Sequence, residues 1–264
     1  METLKIVILS TVQGITELLP ISSSAHILLL GRVFAIDISS ALLVLFHLGT
    51  TLAILIFFWK KIFKDFLTKD RWYFYFKIIL SSIPAGVFGF FFEDIISEKL
   101  RATWIIALSL IVWGIVTVVI EKRKLKPLKE INTVDDVPNI TWKQAAIVGV
   151  AQALALIPGT SRSGISTIAG ILTGMEKYTA LEYSFLIGLP VLFGSFLWGV
   201  LKDYPLTEIS HNQSEATLIV GITFLVGLIS LQILKRNKKK NWLTLFGIYR
   251  IIIGIAVLIV AYAI

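Results

Sequence analysis

Apolar stretches alternate with short charged connections along nearly the whole chain. Six of these stretches contain about 20 residues, which is enough for a helix to cross the roughly 30 Å hydrocarbon core of a bilayer. They cover residues 40–59, 73–92, 103–120, 180–201, 216–234 and 243–264. Two of them contain proline and glycine, which transmembrane helices tolerate where neighbouring groups satisfy the freed backbone. The pattern therefore predicts six transmembrane helices.

Two further apolar regions, 4–34 and 142–175, are interrupted in the middle. Proline and small hydroxyl residues break them at Pro20–Ser24 and Pro158–Gly164. Because the flanking spans must alternate in direction, each region has to begin and end on one side of the membrane. Non-helical backbone at membrane depth is stable only where it is buried in protein or lines a wet cavity. We therefore predict two re-entrant helical hairpins that enter from opposite faces.

Basic residues are concentrated in three connections, which we place in the cytoplasm because lysine and arginine accumulate in cytoplasmic loops. The connections at 93–102 and 202–215 are net acidic, and we place them outside. The basic connections contain Lys60, Lys61, Lys64, Lys69 and Arg71, then Lys122, Arg123, Lys124, Lys126 and Lys129, then Lys235, Arg236, Lys238, Lys239 and Lys240. Topology thus explains most of the net charge of +8. Membrane lipids are expected partners through a secondary attraction, and nucleic acid is not.

The two halves of the chain share a sequence pattern. Aligning Pro20 with Pro158 places Ser22 on Thr160 and Ser23 on Ser161, and one residue of offset later Phe46 falls on Phe185 and Trp59 on Trp198. We interpret 1–120 and 142–264 as an inverted-topology repeat within a single membrane domain, 1–264, joined by a cytoplasmic linker at 121–141. Such a repeat brings the two broken hairpins together near its pseudo-twofold axis.

Composition supports the membrane assignment. The chain is 56% hydrophobic and 16% charged, with a mean hydropathy of +0.84, whereas soluble domains are roughly 45–50% apolar and 25% charged. A water-soluble globule is therefore excluded. The absence of cysteine also excludes disulfides, thiolate catalysis and cysteine-ligated metals.

Ionisable residues inside apolar regions are costly and by default mark a functional site. The hairpins contain Glu17, His26 and Arg162, and the spans contain His47, Lys77, Glu182 and Arg250. Gln13 and Glu17 are four residues apart and therefore share a helical face. We expect His47 and Lys77 to be structural residues that contact other helices or reach the interface. Arg250 is expected to pair with a buried acid or carbonyl, with Glu182 as a candidate, and His211 to be exposed.

Both interruptions are typical of an anion site. A helix N-terminus preceded by small residues presents free N–H groups and the positive end of the helix dipole, which bind phosphate. Arg162 adds a guanidinium suited to bidentate phosphate contact. The residues expected to bind substrate are Gln13, Ser22, Ser24, Thr160, Ser161, Ser163 and Gly164. A plain N-cap function for Ser22–Ser24 is the structural alternative.

Reaction at phosphorus also needs a nucleophile and proton transfer. A serine of Ser22–Ser24 is a candidate nucleophile, and His26 is a candidate base, acid or nucleophile. Glu17 is expected either to orient His26 or to hold a divalent cation, Mg or Ca, that bridges a diphosphate. The structural alternative for His26 is a polar residue at the bilayer interface.

The segments Gln13–His26 and Pro158–Gly164 closely resemble the two signature segments of the undecaprenyl-diphosphate phosphatase family, also called the bacitracin-resistance family. Phe46–Thr50 and Ile83–Ala85 look like further family features, so the resemblance covers essentially the whole chain. It implies a plasma-membrane enzyme that removes the terminal phosphate of a C55 polyprenyl diphosphate and recycles the lipid carrier for cell-envelope glycans. By position, the family's catalytic residues fall on Glu17, Ser23, His26 and Arg162.

Two residues depart from the family pattern. Gln13 stands where many members have a second glutamate, which weakens a role that needs two carboxylates, such as metal binding. Ala25 stands where the family usually has glycine, and alanine would be strained if that position required a positive φ.

Two other functions are compatible with parts of this pattern. A transporter or lipid flippase also uses inverted repeats and broken helices at the midplane. The combination of serine, histidine and glutamate in the first hairpin favours an enzyme. An inactive structural subunit is disfavoured because it would leave the costly polar groups unexplained. From the loop charges we expect the site to open toward the outer face, and a homodimer is a possible assembly.

Overall fold

The computed structural model describes residues 3–123, 140–202, 213–236 and 241–263. Within these ranges the regular secondary structure is helical. The helices are α1 (Thr3–Thr16), α2 (Ser23–Val33), α3 (Ser40–Phe57), α4 (Trp59–Phe63), α5 (Lys69–Phe91), α6 (Glu93–Glu98), α7 (Thr103–Lys122), α8 (Trp142–Ala153), α9 (Arg162–Leu172), α10 (Lys177–Lys202), α11 (Gln213–Arg236) and α12 (Trp242–Ala263). A single 3₁₀ turn, Leu154–Leu156, follows α8.

Five of the described helices are long and apolar enough to cross a membrane, namely α5, α7, α10, α11 and α12. The remaining predicted span, 40–59, forms α3, of which Leu42–Phe57 is a shorter apolar helix. Pro84 and Pro190 lie inside α5 and α10, which continue through them as expected for membrane helices. The prediction of an all-α integral membrane protein is confirmed.

The two interrupted regions each consist of two short helices separated by a break. In the first, α1 ends at Thr16 and α2 begins at Ser23. In the second, α8 ends at Ala153 and α9 begins at Arg162. Proline disfavours a helical conformation of the preceding residue, so the chain leaves each helix before the proline and starts a new one after it. Both breaks occur where the sequence predicts them.

The register between the two breaks differs from the predicted alignment. Ser22 and Ser161 each precede a helix, and each has a left-handed backbone, with φ of 73° and 72°. Ser22 therefore corresponds to Ser161 and not to Thr160. The second break has one more residue between its proline and the following helix than the first break has. The one-residue offset between the two halves, which the alignment placed later in the chain, therefore already occurs at this turn.

Helices of one half pack against helices of the other half. α1 packs against α11 of the second half, and α8 packs against α5 of the first. α7 packs against α12, and α3 lies between α10 and α11. This arrangement brings the α1–α2 and α8–α9 breaks together. The division into halves stays a prediction. Three parts of the predictions lie outside the described residues. They are 124–139 of the predicted linker, 203–212 of the predicted outer connection, which include His211, and Lys238–Lys240.

Candidate active site

A cavity of about 570 Å³ lies where the two breaks meet. Its walls include Glu17 and the three serines of the first break, Ser161–Ser163 of the second, and His47 of α3. From there it runs along α5 and α10 to the connection at 93–102. Among the described residues that line it, none belongs to the three basic connections.

Glu17 lies at the centre of the hydrogen bonds in this cavity and is buried. The Ser23 hydroxyl donates to its Oε2 atom over 2.5 Å, and the Gln13 amide donates to the same oxygen over 3.3 Å. The other carboxylate oxygen, Oε1, accepts from Arg162 Nη2 over 2.8 Å. The predicted sharing of one face by Gln13 and Glu17 is thus observed as a direct contact between them.

Arg162 connects the second break to the first. Besides its ion pair with Glu17, its Nη1 donates to the Ser184 carbonyl over 2.9 Å, while its buried Nε has no hydrogen-bond partner among the described residues. Gly188 makes room for the guanidinium, because a Cβ at that position would lie 1.8 Å from Arg162 Nη1. Gly188 is thus a supporting residue that the sequence reasoning did not identify.

The N-termini of α2 and α9 both contribute to the cavity. Ser161 caps α9 by accepting from the Gly164 amide over 3.2 Å, whereas Ser22 makes no side-chain cap and contacts Ser24 at 3.3 Å. Ser163 reaches across and donates to the Leu19 carbonyl over 3.5 Å. Two positive helix ends, one from each break, therefore lie at the same cavity, which favours binding of an anion such as phosphate.

His26 is positioned differently from the other predicted catalytic residues. Its Nδ1 lies 2.8 Å from the Ser22 carbonyl, and its Nε2 lies 2.8 Å from the Tyr249 hydroxyl. Since a carbonyl only accepts, Nδ1 carries the proton and Nε2 accepts from the tyrosine in the neutral ring. His26 is not among the residues that line the cavity. Its predicted catalytic role is therefore not supported by a direct contact with Glu17 or Arg162.

The remaining predicted binding residues divide into two groups. Thr160 and Gly164 do not line the cavity. Thr160 is fully buried and shares a hydrogen bond with Ser109 at 3.1 Å, and Gly164 is buried in the first turn of α9. Ser22, Ser24, Ser161 and Ser163 do line it. Ala25 lies inside α2 and does not have a positive φ. Alanine is therefore not strained at this position, where the family usually has glycine.

Two intramembrane charges have partners that the sequence left open. His47, which we expected to contact another helix or reach the interface, lies with Nε2 3.5 Å from Glu17 Oε2 in the cavity wall. Arg250 binds buried carbonyls, as expected, but does not pair with the candidate Glu182, which forms an ion pair with Lys61 at 2.5 Å. Arg250 Nη2 donates to the Gly159 and Thr160 carbonyls over 2.7 and 2.8 Å. Sequence alone marked both residues as unusual but could not identify their neighbours.

A divalent cation in the cavity would need several ligands from the protein. Within the described ranges no group of three or more histidine, aspartate or glutamate residues is arranged to hold a metal ion. Glu17 is the only predicted ligand, and both of its oxygens already contact donors, one of them the positive Arg162. The described residues therefore do not fit a protein-held cation.

The fold and cavity define a class: an all-α membrane protein in which two broken hairpins bring two helix N-termini, a carboxylate and an arginine to one cavity. Residues 6–256 match the family described as bacitracin resistance protein BacA, and the chain belongs to that family. This confirms the family that the two signature segments indicate.

Curated relatives match over almost their full length. An undecaprenyl-diphosphatase of Enterococcus faecalis is 34% identical, with 98% of this chain and 97% of the relative covered. Undecaprenyl-diphosphatase 1 of Clostridioides difficile strain 630 is 35% identical, with 98% and 96% covered. An undecaprenyl-diphosphatase of Latilactobacillus sakei is 33% identical, with 98% and 97% covered.

Proposed function

We propose that this protein is a membrane-embedded phosphatase that hydrolyses undecaprenyl diphosphate to the monophosphate and inorganic phosphate. The reaction recycles the lipid carrier for cell-envelope glycan synthesis. The observation that carries the proposal is the 2.5 Å hydrogen bond from Ser23 to Glu17, beside the Arg162 guanidinium, in a chain whose relatives are named undecaprenyl-diphosphatase.

The first step uses Ser23 as nucleophile. Glu17 takes the Ser23 proton, the Ser23 oxygen bonds to the terminal phosphorus, and the bond from that phosphorus to the bridging oxygen breaks. Undecaprenyl monophosphate leaves with the bonding electron pair and then takes the proton from Glu17. Ser23 is favoured over His26 because both His26 ring nitrogens are already engaged, whereas the Ser23 hydroxyl points at a base.

The second step regenerates the enzyme. Glu17 removes a proton from water, the water oxygen bonds to the phosphorus of phosphoserine, and the bond from phosphorus to the Ser23 oxygen breaks. The serine oxygen takes the proton back from Glu17, and inorganic phosphate is released. A single carboxylate therefore acts as base and acid in both steps.

Charge on the transferring phosphoryl group needs fixed donors. The Arg162 guanidinium, which lines the cavity, and the N-terminal amides of α2 and α9 supply them. Because the described residues form no preformed cation site, none of these steps runs through the divalent cation that we expected Glu17 to hold.

We further infer that the cavity opens to the outer face of the cell membrane. The lining residues farthest along the cavity, Glu93, Ser97 and Arg101, belong to the connection that the charge pattern places outside. Arg101 adds a second cation at this end; burial lowers the pKa of its guanidinium, and the nearby Asp37 carboxylate opposes that shift.

The test is phosphate release from undecaprenyl diphosphate by purified protein in detergent. We expect E17Q and S23A to lower kcat by at least about 100-fold, since a lost base or nucleophile typically costs two to four orders of magnitude. R162A should fall similarly because it removes both the phosphate contact and the Glu17 ion pair. The control is S230A, since within the described part of the chain the Ser230 hydroxyl donates only to the Val226 carbonyl of its own helix.

Three results would contradict parts of the proposal. No release by the parent protein would favour the transporter alternative. Full activity of E17Q would reject the assigned base. Full activity of S23A, with an acid-labile phosphohistidine on the protein, would move the nucleophile to a histidine.

A further inference from the structure

His47 joins the active site from a helix that contributes no other predicted catalytic residue. It lies on α3, lines the cavity, and its side chain is 21% exposed. Its Nε2 atom lies 3.5 Å from Glu17 Oε2. Hydrogen bonds in unliganded active sites are often long and shorten when substrate binds. His47 is therefore within reach of the proposed base.

The backbone that carries His47 is held firmly. The hydroxyls of Thr50 and Thr51 donate to the His47 carbonyl over 3.0 and 2.7 Å. Two residues after His47, Gly49 allows α3 to pack closely against α11, because a Cβ at that position would lie 1.8 Å from Thr223 Oγ1. The imidazole is thus presented to Glu17 by a helix that has little room to move.

The two oxygens of Glu17 have different donors. Oε1 accepts from Arg162, and Oε2 faces Ser23, Gln13 and His47. In the proposed reaction Oε2 loses one of these donors, because the Ser23 oxygen becomes bonded to phosphorus. Gln13 and His47 then remain as the N–H donors on Oε2. A buried carboxylate oxygen without donors is disfavoured, so these two groups must hold it in place.

We propose that His47 is a positioning residue whose Nε2–H holds Glu17 Oε2 toward Ser23 through both phosphoryl transfer steps. The proposal rests on the proposed function. It requires a hydrogen-bond donor at the position of Nε2 and does not require the imidazole to carry a proton. This makes it distinguishable from a catalytic role for the ring itself.

Three substitutions separate these roles. In H47Q the side-chain amide nitrogen lies near the place of Nε2, in H47N it lies near the place of Nδ1, and H47L supplies no donor. We expect H47L and H47N to lower kcat by about 10- to 100-fold with KM changed less than about 3-fold, because a misplaced catalytic group costs rate more than binding. H47Q should stay within about 3-fold of the parent. H211Q, which replaces the third histidine of the chain, is the control.

A second readout does not depend on activity. Subtracting the infrared spectrum of E17Q from that of the parent isolates the Glu17 carboxylate stretch, which should shift in H47L and stay in place in H47Q. Detergent gel filtration and thermal melting check that each variant is folded. A parent-like kcat together with an unshifted carboxylate band in H47L would overturn the proposal. A kcat of H47Q as low as that of H47L would also overturn it. Absence of phosphate release by the parent refutes the proposed function alone, and the infrared comparison then decides whether His47 holds Glu17.

Discussion

At the scale of single residues, the site depends on small groups that leave room for large ones. Gly188 on α10 is the clearest case, because the Arg162 guanidinium occupies the space that any side chain at 188 would need. Arg162 in turn holds Glu17 and donates to the Ser184 carbonyl one turn earlier on α10. A glycine that does not line the cavity therefore decides where the Arg162 guanidinium lies.

Replacing Gly188 with alanine should displace Arg162. We expect G188A to lower kcat/KM for undecaprenyl diphosphate by about 10- to 100-fold, the usual effect of moving a catalytic group by about an ångström. G221A on α11 is the matched control, because a Cβ at that position meets no atom within 4 Å. Parent-like kinetics of G188A, with the variant folded, would contradict this account of Arg162.

At the scale of elements, the second break is held by a helix distant in sequence. Arg250 of α12 is fully buried, and one of its nitrogens binds the Gly159 and Thr160 carbonyls. Those carbonyls belong to the turn that starts α9 and carries Arg162. A turn at membrane depth leaves backbone acceptors that water cannot reach, and Arg250 supplies their donor.

Replacing Arg250 with methionine should destabilise this turn. Each buried carbonyl left unpaired costs about 1–3 kcal/mol, so R250M should lower the melting temperature in detergent and reduce activity through Arg162. R236M, at the exposed end of α11, removes an arginine without touching the turn. A melting curve of R250M that overlays the parent's would show that the two hydrogen bonds contribute little.

At the scale of the whole molecule, the direction in which the cavity opens determines which membrane face the substrate headgroup approaches. The cavity extends from the two breaks to the connection at 93–102, and α6 is tied to α10 at that end by a 3.0 Å hydrogen bond from Trp198 to Glu93. The basic segment that follows Trp59 contributes no lining residue.

Cysteine labelling tests this orientation directly, because the chain has no cysteine of its own. We expect a membrane-impermeant maleimide to label S97C on intact cells and K64C only after permeabilisation, since the positive-inside rule places Lys64 in the cytoplasm. The opposite pattern would invert the topology and reject the outer opening.

Much of this arrangement was predictable because membrane insertion depends on local sequence. Helix length, the basic connections and the two proline-containing breaks follow from apolar runs, charges and backbone restrictions within a few residues of each other. Glu17 and Arg162 were also identifiable as candidates, since ionisable groups at membrane depth are costly unless they serve a function, and the family resemblance added Ser23. The environments of His26, His47 and Arg250 were not predictable, because their partners lie on other helices up to 223 residues away.

The sequence by itself thus determined the membrane class, the interrupted helices and the family, and it predicted Glu17, Ser23 and Arg162 as site residues. Only the tertiary structure decided that His47 and Gly188 support these residues, that His26 contacts Tyr249, and that Arg250 anchors a turn and forms no pair with Glu182. The physical reason is that burial and hydrogen bonding depend on the packing of distant segments. Hydropathy and helix breaks, by contrast, are properties of each segment alone.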